Sequence, residues 1–98
     1  MARYLLTNKA VDDLTKIWNY TFETWSEEQA DKYYKQLISS CEFIADNVDK
    51  GRNYDGIRDS LLGFKSGKHI IFYRQLNDNI EILRILHERM DLRERIKE

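Results

Sequence analysis

Proline is absent from this chain, and only one cysteine and four glycines occur among its 98 residues. A lone Cys41 cannot close an intramolecular disulfide and has no companion at metal-ligand spacing, so it reads as a small core residue in a reducing compartment. No apolar run approaches the ~20 residues of a membrane span, and the start MARYLLTNKA lacks the apolar centre of a signal peptide. The expectation is therefore a cytoplasmic protein with no membrane contact. Also missing are a P-loop, a glycine-rich dinucleotide turn, an HExxH zinc helix and a GxSxG nucleophile elbow, which leaves neither a metal nor a cofactor implied. No repeat, low-complexity segment or linker interrupts the chain.

What is present is an ordinary globular balance, with 42% hydrophobic, 12% aromatic and 34% charged residues. One compact domain over residues 1–98 is expected, long enough to fold without staples. The formal net charge of -1 is unevenly laid out. Residues 1–49 carry five Lys or Arg against nine Asp or Glu, and residues 50–98 carry eleven against eight. The C-terminal half is the better place for an anionic partner, although a merely solvated surface accounts for the same imbalance.

Ala2 to Leu6 reads as a short strand, after which Thr7 or Asn8 offers a helix N-cap. From Lys9, the residues Val11, Leu14, Trp18, Phe22 and Trp25 recur at helical steps and form an apolar stripe. Ser26-Glu27-Glu28-Gln29 has capping-box form and opens a second helix, carrying Ala30, Tyr33, Tyr34, Leu37, Cys41, Ile44 and Val48. That helix should end near Asp49 or Lys50, with Gly51 in the left-handed conformation beyond it. Trp18, Phe22, Tyr33 and Leu37 are expected in the core of this helical hairpin. GRNYDGIRDS reads as an irregular connection, and Leu61 to Lys65 as a strand turning at Ser66-Gly67.

The runs HIIFYRQ and IEILRIL flank Asn77-Asp78-Asn79, a hairpin pattern because Asn and Asp tolerate positive φ. An Asn77-Asp78 loop sets Arg74 opposite Glu81, Tyr73 opposite Ile82, Phe72 opposite Leu83 and His69 opposite Leu86. HIIFYRQ is apolar on both faces and reads as a central strand. After Leu86, Leu92 and Ile96 lie four apart, while Arg89, Arg93 and Lys97 make a second row: a short basic helix or a tail. His69 and His87 should lie near each other beside Lys68 and Arg89, in a cluster able to hold a phosphate and move a proton. The alternative is that His69 orders the Ser66-Gly67 turn and His87 ends a strand.

The ordered combination of Ile57-Arg58, Gly67, His69, Phe72-Tyr73-Arg74, Arg84-Ile85-Leu86-His87 and Met90-Asp91 resembles the ParE toxins of bacterial toxin-antitoxin modules, within the wider RelE/ParE superfamily. The similarity begins at Tyr4 and runs through Leu14, Ile17-Trp18, Trp25, Gln29-Ala30 and Tyr33. The resemblance agrees with the fold read from periodicity: an α+β chain in β-α-α-β-β-β order, its α-helical hairpin packed on a mainly antiparallel sheet, with a short basic C-terminal helix or tail.

The resemblance implies a toxin that binds DNA gyrase without turning over a substrate and is neutralised by a ParD-like antitoxin, with no sequence-specific DNA binding by the toxin alone. The candidate target-binding residues are Lys68, His69, His87, Arg89, Arg93 and Lys97, from the local excess of positive charge. The candidate antitoxin-binding residues are Trp18, Phe22, Trp25 and Tyr34 on the helical hairpin. One alternative is a RelE-type ribosome-dependent mRNA endoribonuclease. Ser60, Leu62, His69 and Arg95 stand where those nucleases keep two lysines, an arginine and a tyrosine, and only Arg89 matches a catalytic arginine. A second alternative is a non-toxic module whose sole partner is the antitoxin.

Overall fold

The computed structural model describes residues 3–97; Ala2, included in the expected first strand, lies outside them. The chain runs β1 (Tyr4–Leu6), α1 (Asn8–Thr24), α2 (Glu27–Asp46), a 3-10 turn (Val48–Lys50), β2 (Arg52–Asn53), β3 (Leu62–Ser66), β4 (His69–Leu76), β5 (Asn79–His87) and α3 (Leu92–Lys97). The expected order holds. One two-residue edge strand, β2, forms inside the stretch read as irregular. Among the described residues, no helix is long and apolar enough to cross a membrane.

Both long helices begin where a short hydroxyl side chain stands at the cap. Thr7 Oγ1 accepts from the Ala10 N–H at 3.1 Å, and Ser26 Oγ accepts from the Gln29 N–H at 3.1 Å. Each bond satisfies one of the amide donors that a helix start leaves without an internal partner. At the far end of α2, Asn47 is the capping residue. Gly51 is not left-handed as expected but extended, with φ -76°. Its glycine has a different cause: a Cβ there would overlap the Tyr73 hydroxyl, which donates to the Val48 carbonyl at 2.8 Å.

The sheet order is β1-β5-β4-β3-β2, with every neighbouring pair antiparallel except β1, which runs parallel to β5. The central strand is β4, and both of its faces are covered. Ile71 and Tyr73 join Leu14, Leu37, Cys41 and Ile44 under the two helices. Ile70 and Phe72 pack on the opposite side with Leu61, Leu86 and Ile96, beneath α3. A short C-terminal helix therefore closes a second small core, and the tail alternative does not apply.

Near the β4-β5 turn the register is as read: Arg74 opposes Glu81, its Nε 2.8 Å from Oε1, and Tyr73 opposes Ile82. Below that, an irregularity between Phe72 and Tyr73 shifts the pairing by one residue. Phe72 faces Arg84 instead of Leu83, and His69 faces His87 instead of Leu86. An extra residue in one strand reverses which face each later side chain occupies. The shift sets the two histidines side by side on the helix face.

The stripe read on α1 is only partly core. The residues it buries are Ala10, Asp13 and Leu14, while Val11 and Phe22 are each 46% exposed and Trp25 is 74% exposed. Trp18 and Tyr33 are half-buried, and Leu37 is fully buried. The apolar arc of α1 is wider than the surface that the sheet covers, so one flank stays open. Leu37→Ala should lower stability by about 2–5 kcal/mol, read as a fall in the urea midpoint at unchanged slope. Gly51→Ala should cost about 1–3 kcal/mol by overpacking against Tyr73, and an unchanged midpoint would contradict that contact.

Candidate functional site

The strand shift brings the two imidazoles together, with ring centroids 5.2 Å apart and the planes nearly perpendicular. Their tautomers follow from the groups around them. Tyr33 Oη accepts from the Lys68 N–H at 3.0 Å, and its hydrogen has two acceptors in reach, the Ser66 carbonyl at 3.4 Å and His69 Nδ1, the nearer, at 2.6 Å. The Arg89 N–H donates to His87 Nδ1 at 3.1 Å. Each ring accepts at Nδ1 and, when neutral, holds its proton on Nε2. A metal bound at Nε2 requires the proton on Nδ1, which at His87 would meet the Arg89 N–H. Among the described residues, no group of three or more His, Cys, Asp or Glu could hold a metal ion.

Burial pulls the His69 imidazole down to about 4, helped by His87 and opposed by the more modest pull of Asp13 and Glu88. Burial likewise raises the Tyr33 hydroxyl, an effect that the Lys68 N–H reduces. His69 is therefore held neutral, with its remaining N–H available as a donor.

Two adjoining cavities share Tyr20, Thr21, His69 and His87 as a common wall. One, of about 380 Å³, adds Trp25, Gln29, Tyr33 and Lys68. The other, of about 430 Å³, adds Lys16, Arg89 and Met90. Four of the residues singled out for target binding, Lys68, His69, His87 and Arg89, thus meet at one end of the molecule. Arg93 and Lys97 do not. Because α3 begins only at Leu92, Arg89 precedes it and the expected row of three is broken. Arg93 Nη1 instead donates to the Gly56 carbonyl at 2.9 Å, and Lys97 lies 4.0 Å from Glu94. Both belong to the helix on the opposite sheet face.

The aromatic candidates separate in the same way. Trp18 and Tyr34 line a third cavity of about 420 Å³ with Leu6, Val11 and Leu14, between the helical hairpin and β1. Phe22 stacks on Trp18 at 5.3 Å and extends that groove. Trp18 is fixed by its Nε1–H, which donates to Asp31 at 3.0 Å. Trp25 stands apart, in the histidine cleft. Tyr20 and Lys16 are not among the residues the sequence points to, and Tyr33 reads as core from sequence. The spacing Lys16, Ile17, Tyr20, Thr21 marks a second helix flank beside the apolar stripe, and that was the available pointer.

Asp13 anchors the wall between α1 and β5. Its carboxylate accepts from Arg84 Nε at 2.8 Å, Arg84 Nη2 at 3.0 Å and the Ile85 N–H at 3.0 Å. Arg84 Nη1 also donates to the Arg95 carbonyl at 2.7 Å, which ties α3 to the same point.

Residues 4–92 match a family model described as ParE toxin of type II toxin-antitoxin system, parDE. A protein named Toxin ParE1 from Mycobacterium tuberculosis is 36% identical over 92 residues, covering 93% of this chain and 94% of the relative. Another Toxin ParE1, from Caulobacter vibrioides, is 36% identical over 93 residues, covering 95% of this chain and 96% of that one. Among solved structures, a chain of the chromosomal ParDE TA system from P. aeruginosa shares the fold with a TM-score of 0.76 at 19% identity, over 89% of this chain and 95% of that chain.

The neutral burial of His69 makes stability depend on pH. As pH falls below the ordinary value of 6.5, the unfolded chain takes up a proton that the folded chain refuses until about 4. Stability should therefore fall as pH drops through that window and lose nothing more to this group below it. Thermal midpoints measured between pH 4 and 7 should show that slope, and His69→Asn should flatten it.

Proposed function

The chain belongs to the ParE toxin family of type II toxin-antitoxin systems, and from that premise we propose that it acts by binding DNA gyrase, blocking supercoiling without turning over a substrate, and is neutralised by a ParD-like antitoxin. It is a ParE-type toxin, and the family match over residues 4–92 is the observation that carries the reading. The site of action is then the cytoplasm. Two surfaces suit two partners. The groove of Trp18, Phe22 and Tyr34 beside the outer edge of β1 is apolar and suits a segment of the antitoxin that folds as it binds. The cleft of Lys68, His69, His87 and Arg89 faces away from that groove and suits the target.

Binding rather than cutting is supported by the histidine pair. RNA cleavage needs a group to take a hydroxyl proton and cations to stabilise the charge that develops on phosphorus. His69 and His87 have their Nδ1 lone pairs occupied, and Leu62 and Ser60 supply no charge where the nucleases keep lysines. The purified protein should inhibit gyrase supercoiling and leave mRNA intact in translating ribosomes. Codon cleavage with supercoiling untouched would reverse the assignment.

The two-surface arrangement makes a separate prediction. A Trp18→Ala/Tyr34→Ala variant should bind antitoxin at least tenfold more weakly, as expected for buried aromatic anchors, measured by titration calorimetry. Lys68→Ala/Arg89→Ala should keep antitoxin affinity and lose gyrase inhibition. Equal loss of both activities in either variant would refute the division.

A further inference from the structure

The histidine cleft is a set of donors. Both imidazoles offer Nε2–H, and the side chains of Lys16, Lys68 and Arg89 have no ion-pair partner among the described residues. Of the acids nearby, Asp13 is held by Arg84 and the Ile85 N–H, and Glu88 Oε2 lies 3.4 Å from Lys65 Nζ as its counter-charge, without a hydrogen bond. An oxyanion is the complement to such a site.

Two further features select among oxyanions. Tyr20 and Trp25 are 68% and 74% exposed at the mouth, and they present planar faces on which a base can stack. A phosphate monoester carries roughly -1.5 to -2 charge near pH 7 and three acceptor oxygens, which suits several cations better than a single carboxylate does.

We propose that this cleft binds a nucleoside 5′-phosphate, free or at the end of a nucleic-acid strand, and does not cleave it. The phosphate takes the Nε2–H groups of His69 and His87 with Lys68 and Arg89 as counter-charges, and the base stacks against Trp25. No hydrolysis follows, because neither ring turns a lone pair toward the ligand. This deepens the reading that this end of the molecule meets a DNA-handling target and rests on it for biological role.

The test uses the full chain alone. Titration with AMP should give saturable shifts of both imidazole Nε2 resonances and quench the Trp25 emission that remains in a Trp18→Phe variant. Adenosine and inorganic phosphate should each bind at least tenfold more weakly than AMP, and Lys68→Ala/Arg89→Ala should weaken AMP by at least tenfold at unchanged thermal midpoint. An oligonucleotide carrying a 5′-phosphate that binds as AMP does assigns the strand end, and binding by AMP alone assigns the free nucleotide; both support the proposal. Imidazole resonances that stay fixed at millimolar AMP, or an acidic peptide that binds as tightly as AMP, would overturn it. Because gyrase is absent from this measurement, its failure is distinct from a failure of the supercoiling assay.

Discussion

The carboxylate of Asp13 is the point on which this small molecule turns. It is buried, and it accepts from Arg84 twice and from the Ile85 amide once. A buried carboxylate is costly unless its oxygens are satisfied, and here all three donors come from β5. β1 pairs with β5 only as far as Ile82, so beyond that residue the outer edge of β5 is bordered by α1. Thr7 continues the seal, its N–H donating to the Ile82 carbonyl and its hydroxyl to Leu83. One ion pair thus closes a sheet edge, docks the first helix and, through the Arg95 carbonyl, holds α3 over the second core.

The histidine cleft depends on that same wall. α1 carries Lys16, Tyr20 and Thr21, and β5 carries His87; fixing one against the other sets the width of the cavity between them. From the other side, Tyr33 of α2 reaches the β3-β4 turn, where Gly67 has a positive φ of 61° and a Cβ would crowd the tyrosine ring. The Tyr33 hydroxyl then governs the His69 tautomer. Packing and protonation state are linked by one side chain, so the site is pre-organised before any partner arrives.

The proposed action, occupying partners, calls for separate surfaces more than for a reactive group. α1 has two flanks that could serve it: Trp18 and Phe22 on one side, Lys16 and Tyr20 on the other. Only its middle arc is used for the core, which is why so many large aromatic residues remain exposed on a chain of this size. Tyr20 and Trp25 line the histidine cleft, Tyr34 lines the groove where Phe22 stacks on Trp18, and Phe43 packs against Phe64 elsewhere.

Much of the architecture was legible along the chain because its causes are local. Thr7 and Ser26 cap helices by geometry confined to three residues, Asn77-Asp78 makes a tight turn, and an unbroken apolar run marks β4 as covered on both faces. Other features were not legible, because they depend on residues distant in the chain. Gly51 reads as a helix stop and is in fact a gap left for Tyr73, and nothing local marks Asp13 as the partner of Arg84, 71 positions later. The row of Arg89, Arg93 and Lys97 failed for the same reason: the helix that would align them starts late and packs on the opposite face. The sequence by itself determined the two long helices, the main strands, their order and the family. Tertiary structure decided which flank of α1 stays open and, through a single extra residue in β5, that His69 faces His87, since a one-residue shift in pairing reverses side-chain facing and no local pattern records it.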